Sequence, residues 1–199
     1  KICGLNPARD IQLCIDLKVN YLGFVFYERS PRNVSPADIK IFSEYDKKGS
    51  NFVAVTVNPS DAFIKKNLKR NFDFIQLHGS ETKERVTELK NMGFKIIKAI
   101  KVKSEKDIEK FKEFNNADII LFDTPGMEKS LEFPKDLIDK IPKGEKYALA
   151  GSISEDNVEN ISKLGVNFFD LSSSLEDELG YKDHLKIKNF IEKINEIES

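Results

Sequence analysis

Ile119-Ile120-Leu121-Phe122-Asp123 is a run of four apolar side chains ending in a carboxylate, and Lys1-Ile2-Cys3-Gly4 is a shorter run ending in a thiol. Runs this short, bounded by turn-forming residues, read as buried strands. A carboxylate that follows four apolar residues must leave the core where its strand ends, and it needs partners or a purpose there. If both strands belong to one closed barrel of parallel strands, the thiol and the carboxyl face the same mouth. A thiolate and a carboxylic acid across a small cavity make a base and an acid, the outline of an isomerase working by proton transfer.

Outward from these two runs, the pattern repeats along the whole chain. Strands are predicted at 1–4, 21–26, 52–57, 74–77, 95–100, 118–122, 147–150 and 167–171. Between them apolar residues recur at helical spacing, as in Ala8, Ile11, Cys14 and Ile15, and again in Ile187, Phe190, Ile191 and Ile194. Helix starts are marked independently by Asn6-Pro7, by Ser35-Pro36 with Asp38, by Ser104 with Asp107, and by Ser154 ahead of Glu155-Asp156. Strand-then-helix units in this number require parallel strands with right-handed crossovers, and closing them removes both sheet edges. The expected fold is α/β, a single-domain (β/α)8 TIM barrel over residues 1–199. An open doubly wound sheet is the competing architecture; the absence of G-x-G-x-x-G after the first strand counts against its dinucleotide-binding version.

Composition narrows the function classes. With 32 basic against 33 acidic residues the chain has no dominant field to draw in a polyanion, so nucleic acid is not expected as a partner. No apolar run approaches the roughly 20 residues of a bilayer span, and no charged-then-apolar leader precedes the first strand, so a soluble, cytoplasmic protein is expected. The chain starts at Lys1 without a methionine, and a short stretch ahead of the first strand is expected. Cys3 and Cys14 match neither a disulfide framework nor a zinc knuckle, and His78 and His184 lie far apart, so no metal site is expected. The Lys/Glu-rich stretch 101–112 reads as a solvated helix face.

Barrel enzymes place their chemistry at the carboxyl ends of strands and in the loops that follow. Those positions hold Glu28-Arg29-Ser30-Pro31-Arg32, Gln76-Leu77-His78-Gly79, Ala150-Gly151-Ser152 and Asp170-Leu171-Ser172-Ser173-Ser174. Small residues after strands seven and eight leave backbone N–H groups open to a phosphate; equally, they could serve only the turns. Arg32 could grip a carboxylate with its planar fork or pair at the surface with Glu28. His78 could orient a substrate or cap its own loop. Cys3 could be a small buried hydrophobe, as Cys14 on its helix's apolar stripe is expected to be.

These residues, in order and spacing, resemble the phosphoribosylanthranilate isomerase family: Lys1-Ile2-Cys3-Gly4, Gly23-Phe24-Val25-Phe26 with Ser30-Pro31-Arg32, Gln76-Leu77-His78-Gly79, Leu121-Phe122-Asp123, Leu149-Ala150-Gly151 with Asn157-Val158, and Asp170-Leu171-Ser172-Ser173. The resemblance implies a (β/α)8 enzyme of tryptophan biosynthesis. It would carry out the Amadori rearrangement of N-(5-phosphoribosyl)anthranilate to 1-(2-carboxyphenylamino)-1-deoxyribulose 5-phosphate without metal, nicotinamide or flavin. It further implies Cys3 as general base, Asp123 as general acid, Arg32 on the anthranilate carboxylate and Asp170 beside the reacting aminosugar, with His78 kept as a candidate substrate contact. Gly151, Ser152, Ser172 and Ser173 would hold the phosphate. The sequence leaves both a monomer and a homodimer open. The alternatives are a phosphosugar isomerase with another aglycone and a non-catalytic phosphosugar-binding barrel.

Three departures from the family pattern stand out. A glycine-rich loop after strand six is replaced by Thr124-Pro125-Gly126-Met127-Glu128-Lys129-Ser130. Ser152 and Ser174 stand where the family has glycines, so a Cβ could crowd the phosphate or the turn.

Overall fold

The computed structural model describes residues 1–125 and 133–198; residues 126–130 of the loop after strand six lie outside the described residues. Strands β1 (Ile2–Cys3), β2 (Tyr21–Phe26), β3 (Asn51–Thr56), β4 (Phe74–Leu77), β5 (Lys95–Lys101), β6 (Ile119–Asp123), β7 (Tyr147–Ala150) and β8 (Phe169–Asp170) form one sheet in sequence order. All neighbouring pairs are parallel. The ring closes between its ends: Cys3 N donates to Leu171 O at 2.7 Å and Leu171 N to Lys1 O at 3.0 Å. This is the (β/α)8 barrel that the repeated units predict.

Period-two alternation sorts the strand residues into two packed regions. Val53, Val55, Phe74, Ile97, Ile119 and Leu121 fill the barrel interior. Their neighbours Phe52, Ala54, Ile75, Ile96, Ile120 and Phe122 face outward into the layer beneath the helices. Part of that outer layer is aromatic. Phe42 sits edge-on to Phe24 with ring centroids 4.6 Å apart and lies 4.8 Å from Phe72, and each such ring contributes about 1.5–3 kcal/mol by leaving water.

The crossovers are helices α1 (Pro7–Asp16), α2 (Asp61–Asn67), α3 (Lys83–Asn91), α4 (Glu105–Ile108), α5 (Lys135–Ile138), α6 (Val158–Lys163) and α7 (His184–Glu198). In α1, Asn6 Oδ1 accepts from Ala8 N at 3.0 Å while Asp10 Oδ2 accepts from Asn6 N at 2.7 Å, so the predicted start is capped from both sides. Two crossover segments, Pro36–Glu44 and Glu109–Phe114, wind as 3-10 helix instead. Their apolar pairs Ile39/Phe42 and Phe111/Phe114 are three residues apart, a spacing that stacks directly at three residues per turn. The sixth helix also differs from expectation: it starts at Val158 after Asn157, not at Ser154. Asn157 is the cause, since Oδ1 accepts from Ser154 N and Nδ2 donates to Ser152 O, both at 2.9 Å, holding 154–157 as a turn.

An element absent from the sequence reading follows β8. A short 3-10 turn (Ser173–Leu175) leads into an antiparallel hairpin, β9 (Glu176–Glu178) and β10 (Tyr181–Lys182). Gly180 at its tip has φ +85°, and a Cβ there would fall 2.8 Å from Pro31 O, so the hairpin lies directly against the loop after β2. No helix among the described residues is long and apolar enough to cross a membrane.

Candidate active site

The carboxyl ends of the strands surround a cavity of about 670 Å³. Cys3, Arg32, His78, Asp123, Gly151, Ser152, Asp170, Ser172 and Ser173 all line it, so every residue singled out from the sequence as a site candidate meets there.

On one wall, Cys3 is half-buried at the end of β1. Lys1 lies two residues earlier and therefore faces the same way; its Nζ donates to Asp170 Oδ2 at 2.7 Å, with both side chains almost fully buried. Gly23 on β2 makes the space. A Cβ at that position would lie 3.2 Å from Lys1 Nζ and 3.3 Å from Cys3 Sγ, so ammonium and sulfur border the same gap. Burial pushes the Cys3 thiol above its ordinary value, while the neighbouring Lys1 ammonium pulls it down. Asp170 Oδ1 is buried without a hydrogen-bond partner among the described residues. A buried lone pair of this kind costs free energy unless a ligand supplies the donor.

On the opposite wall, Asp123 is 7% exposed at the end of β6. Its Oδ1 accepts from Thr124 N at 2.9 Å, and its Oδ2 lies 3.0 Å from His78 Nε2. Gln76 Nε2 lies 3.0 Å from the second ring nitrogen, Nδ1. Both nitrogens of His78 thus have protein partners. The loop carrying His78 is braced from below. Glu81 accepts from Asn58 N and Gly79 N, and the buried Lys98 ammonium donates to Glu81, Gly79 O and Leu77 O.

Arg32 departs from the surface pairing with Glu28 considered for it. It is neither exposed nor paired with Glu28: its side chain is 6% exposed, and Nε and Nη2 donate to the two oxygens of Glu176 at 2.6 and 2.7 Å. Gly4 leaves room for it, since a Cβ there would meet Arg32 Cδ at 2.4 Å. Lys182 Nζ, completely buried, donates to the same carboxylate at 2.5 Å. Burial works to raise the pKa of Glu176, but the hydrogen bonds from Arg32 and Lys182 outweigh it and the net shift is downward.

The small-residue loops complete the rim. Gly151 has φ +117° and Ser152 φ +46°, so both are left-handed, and the family-atypical Ser152 carries the strain. Ser174 is not left-handed, and its replacement of a glycine costs the backbone nothing. The Ser172 hydroxyl donates to Cys3 O at 3.2 Å, tying the loop after β8 to β1. Among the described residues no group of three or more His, Cys, Asp or Glu side chains converges as a metal site would.

Sequence reasoning missed Lys1, Glu176 and Lys182. Strand alternation carried a signal for Lys1, two positions before Cys3. Nothing in the local pattern announced the other two, whose meaning depends on a hairpin folding back onto Arg32.

A family model described as N-(5'phosphoribosyl)anthranilate (PRA) isomerase matches residues 1–193 of this chain. The chain belongs to the phosphoribosylanthranilate isomerase family. Curated members include the N-(5'-phosphoribosyl)anthranilate isomerases of Thermoanaerobacter pseudethanolicus, 36% identical with 99% of this chain and 98% of the relative covered, and Sinorhizobium medicae, 32% identical with 100% and 98% covered. Among solved structures, the phosphoribosyl anthranilate isomerase of Thermotoga maritima aligns with a TM-score of 0.85 at 28% identity over 98% of this chain and 97% of that one. Another phosphoribosyl anthranilate isomerase, in complex with reduced 1-(o-carboxyphenylamino)-1-deoxyribulose 5-phosphate, aligns with a TM-score of 0.82 at 28% identity over 98% and 97%. This family member therefore keeps the barrel of its relatives, and it is an isomerase.

Proposed function

We propose that this isomerase converts N-(5-phosphoribosyl)anthranilate into 1-(2-carboxyphenylamino)-1-deoxyribulose 5-phosphate in tryptophan biosynthesis, with Cys3 as general base and Asp123 as general acid. The observation that carries the residue roles is the facing of Cys3 and Asp123 across one cavity that also holds the unpartnered Asp170 Oδ1.

Chemistry assigns each group. Asp123, protonated in the complex, gives its proton to the ribose ring oxygen as the C1–O bond breaks, and the anilino nitrogen lone pair forms a C1=N iminium. The iminium acidifies the C2 proton, which the Cys3 thiolate removes; the C–H electron pair becomes a C1=C2 double bond and nitrogen regains its lone pair. The resulting enolamine tautomerises to the C2 ketone, losing the proton of its C2 hydroxyl and taking one at C1. A thiolate in a half-buried site needs positive charge nearby. Lys1 supplies it permanently, and the iminium supplies more at the moment of proton removal. Asp170 Oδ1 accepts from a donor on the aminosugar, Arg32 binds the carboxylate of the anthranilate ring, and the loops at Gly151–Ser152 and Ser172–Ser173 take the phosphate.

The test is a fluorescence assay with the substrate generated in situ from anthranilate. Emission of the substrate should decay with the wild-type protein and persist with folded Cys3→Ser or Asp123→Asn variants. A flat trace with the wild-type protein, or undiminished decay with either variant, would refute the assignment.

A further inference from the structure

Alternation along β4 turns Gln76 inward with Phe74, and its register partners on the flanking strands are Val55 and Ile97, all three part of the barrel's interior packing. A carboxamide is out of character in that company. Gln76 is 1% exposed, it lines the cavity, and its Oε1 is buried without a hydrogen-bond partner among the described residues. A methionine or leucine there would leave no polar atom unmet. What the amide gains is a contact with His78, whose Nδ1 lies 3.0 Å from Gln76 Nε2 while its Nε2 lies 3.0 Å from Asp123 Oδ2. The three side chains form a chain in which the hydrogens run one way. With Asp123 ionised, its carboxylate only accepts, so His78 Nε2 carries the hydrogen; in a neutral imidazole Nδ1 is then bare and accepts, which is what the amide NH₂ of Gln76 requires. An imidazolium would set an N–H against that same donor. Oε1 goes unmet because Nε2 is the end turned to His78.

We propose that Gln76 is a positioning residue that holds His78 neutral with its hydrogen on Nε2, so that when Asp123 gives its proton to the ribose ring oxygen, the carboxylate left behind meets a donor already in position. No proton passes through His78. Asp123 loses its own proton, and the ring N–H is given to Oδ2 only as a hydrogen bond, beside the one from Thr124 N to Oδ1. Donors aimed in advance at charge that develops during a step need no reorganisation as the step occurs, and they lower its barrier. The inference rests on the reading of Asp123 as the general acid. It also accounts for a buried, unmet acceptor in an otherwise apolar layer of the barrel, since a hydrocarbon in its stead would leave the tautomer of His78 unset.

The experiment joins nitrogen NMR of histidine-labelled protein to steady-state kinetics and melting curves, on the wild type, Gln76→Met and Gln76→Glu. The chain has two histidines, and His184→Gln identifies the signals of His78. With the ring neutral, wild-type His78 should show a protonated Nε2 and a bare Nδ1. In Gln76→Glu, whose carboxylate only accepts, the hydrogen should move to Nδ1 or both nitrogens should be protonated. Gln76→Met fills the same space without the unmet oxygen and should melt at about the wild-type temperature. It should nevertheless lose the preference for the Nε2–H tautomer, and with it about tenfold to a hundredfold in kcat, the effect of a misplaced group. Gln76→Leu carries the same expectation should the methionine variant fail to fold. A hydrogen on Nδ1 in the wild type, an unchanged tautomer in Gln76→Met, or an unchanged kcat there would each overturn the proposal. If instead Asp123→Asn keeps its turnover while the tautomer responds as expected, the reading of Asp123 as the acid is what fails, and the inference falls with it.

Discussion

His78 Nε2 lies 3.0 Å from Asp123 Oδ2, across the intervening strand β5, and fixes one oxygen of the carboxyl while Thr124 N fixes the other. A carboxyl held on both oxygens has a fixed orientation, and under the proposed role of Asp123 as acid its two partners would serve that role. Asp123→Asn should lower kcat by at least about 10²–10⁴-fold, the usual weight of a general acid. His78→Ala should cost about a hundredfold or less, the effect of a misplaced group, with KM little changed. If both act on one proton, as the proposed roles require, the double variant should be no slower than Asp123→Asn alone. Steady-state kinetics on the three proteins decides this; additive losses would mean that His78 has an independent task.

The Cys3 thiol gives a prediction independent of turnover. Burial raises its pKa in the free protein and the Lys1 ammonium opposes that rise. The pH profile of Cys3 alkylation by iodoacetamide should therefore have its midpoint above the ordinary thiol value, and Lys1→Met should move it higher still, since a cation that favours the thiolate has been removed. Cys14, whose thiol burial pushes up to about 12, should stay unmodified throughout. Peptide mapping by mass spectrometry separates the two sites. An unchanged profile in Lys1→Met would remove Lys1 from any part in activating the sulfur.

The pair Glu81–Lys98 tests how the scaffold holds the His78 loop. Both side chains are nearly inaccessible, at 2% and 4% exposure, so Glu81→Ala strands a buried ammonium and frees the Asn58 and Gly79 amides. Removing one partner of such a pair costs about 3–5 kcal/mol. Urea unfolding should show that loss, and kcat should fall as well because Gly79 adjoins His78. A loss under about 1 kcal/mol would mean that water reaches Lys98 and replaces its partner.

The barrel was legible because its determinants are local. Alternation put Phe52, Ala54 and Ile75 on one face and Val53, Val55 and Phe74 on the other, and the caps at Asn6, Ser35 and Ser104 marked the entries to crossovers. The site candidates were legible for a related reason, since residues at the carboxyl ends of parallel strands must converge once the ring closes. What was not legible depends on contacts between distant parts of the chain. Glu28 lies four residues from Arg32 and within a local reading, whereas Glu176, which Arg32 bonds, is 144 positions on. The shift of the sixth helix start from Ser154 to Asn157 likewise turns on a side chain that bonds backward to Ser152, where a cap signature alone reads forward.

Ser152 offers a test of the loop after β7 through its backbone strain. At φ +46° its Cβ crowds the carbonyl oxygen that follows, at a cost of about 1–2 kcal/mol that glycine does not incur. Glycine gives part of this back through the greater freedom of the unfolded chain, about 0.4–1 kcal/mol, so Ser152→Gly should stabilise the protein by up to about 1 kcal/mol. Gly151 at φ +117° has the opposite expectation: Gly151→Ala forces a side chain into a region that L residues rarely adopt, and it should destabilise by at least about 1 kcal/mol. If this loop holds the substrate phosphate through its backbone, KM should rise in Gly151→Ala, where the N–H groups are displaced, and stay level or fall in Ser152→Gly. Thermal melts and KM on the two variants separate strain from binding. A raised KM in Ser152→Gly with an intact melt would mean that the serine hydroxyl itself contacts the phosphate, and that the departure from glycine adds a donor at the price of strain.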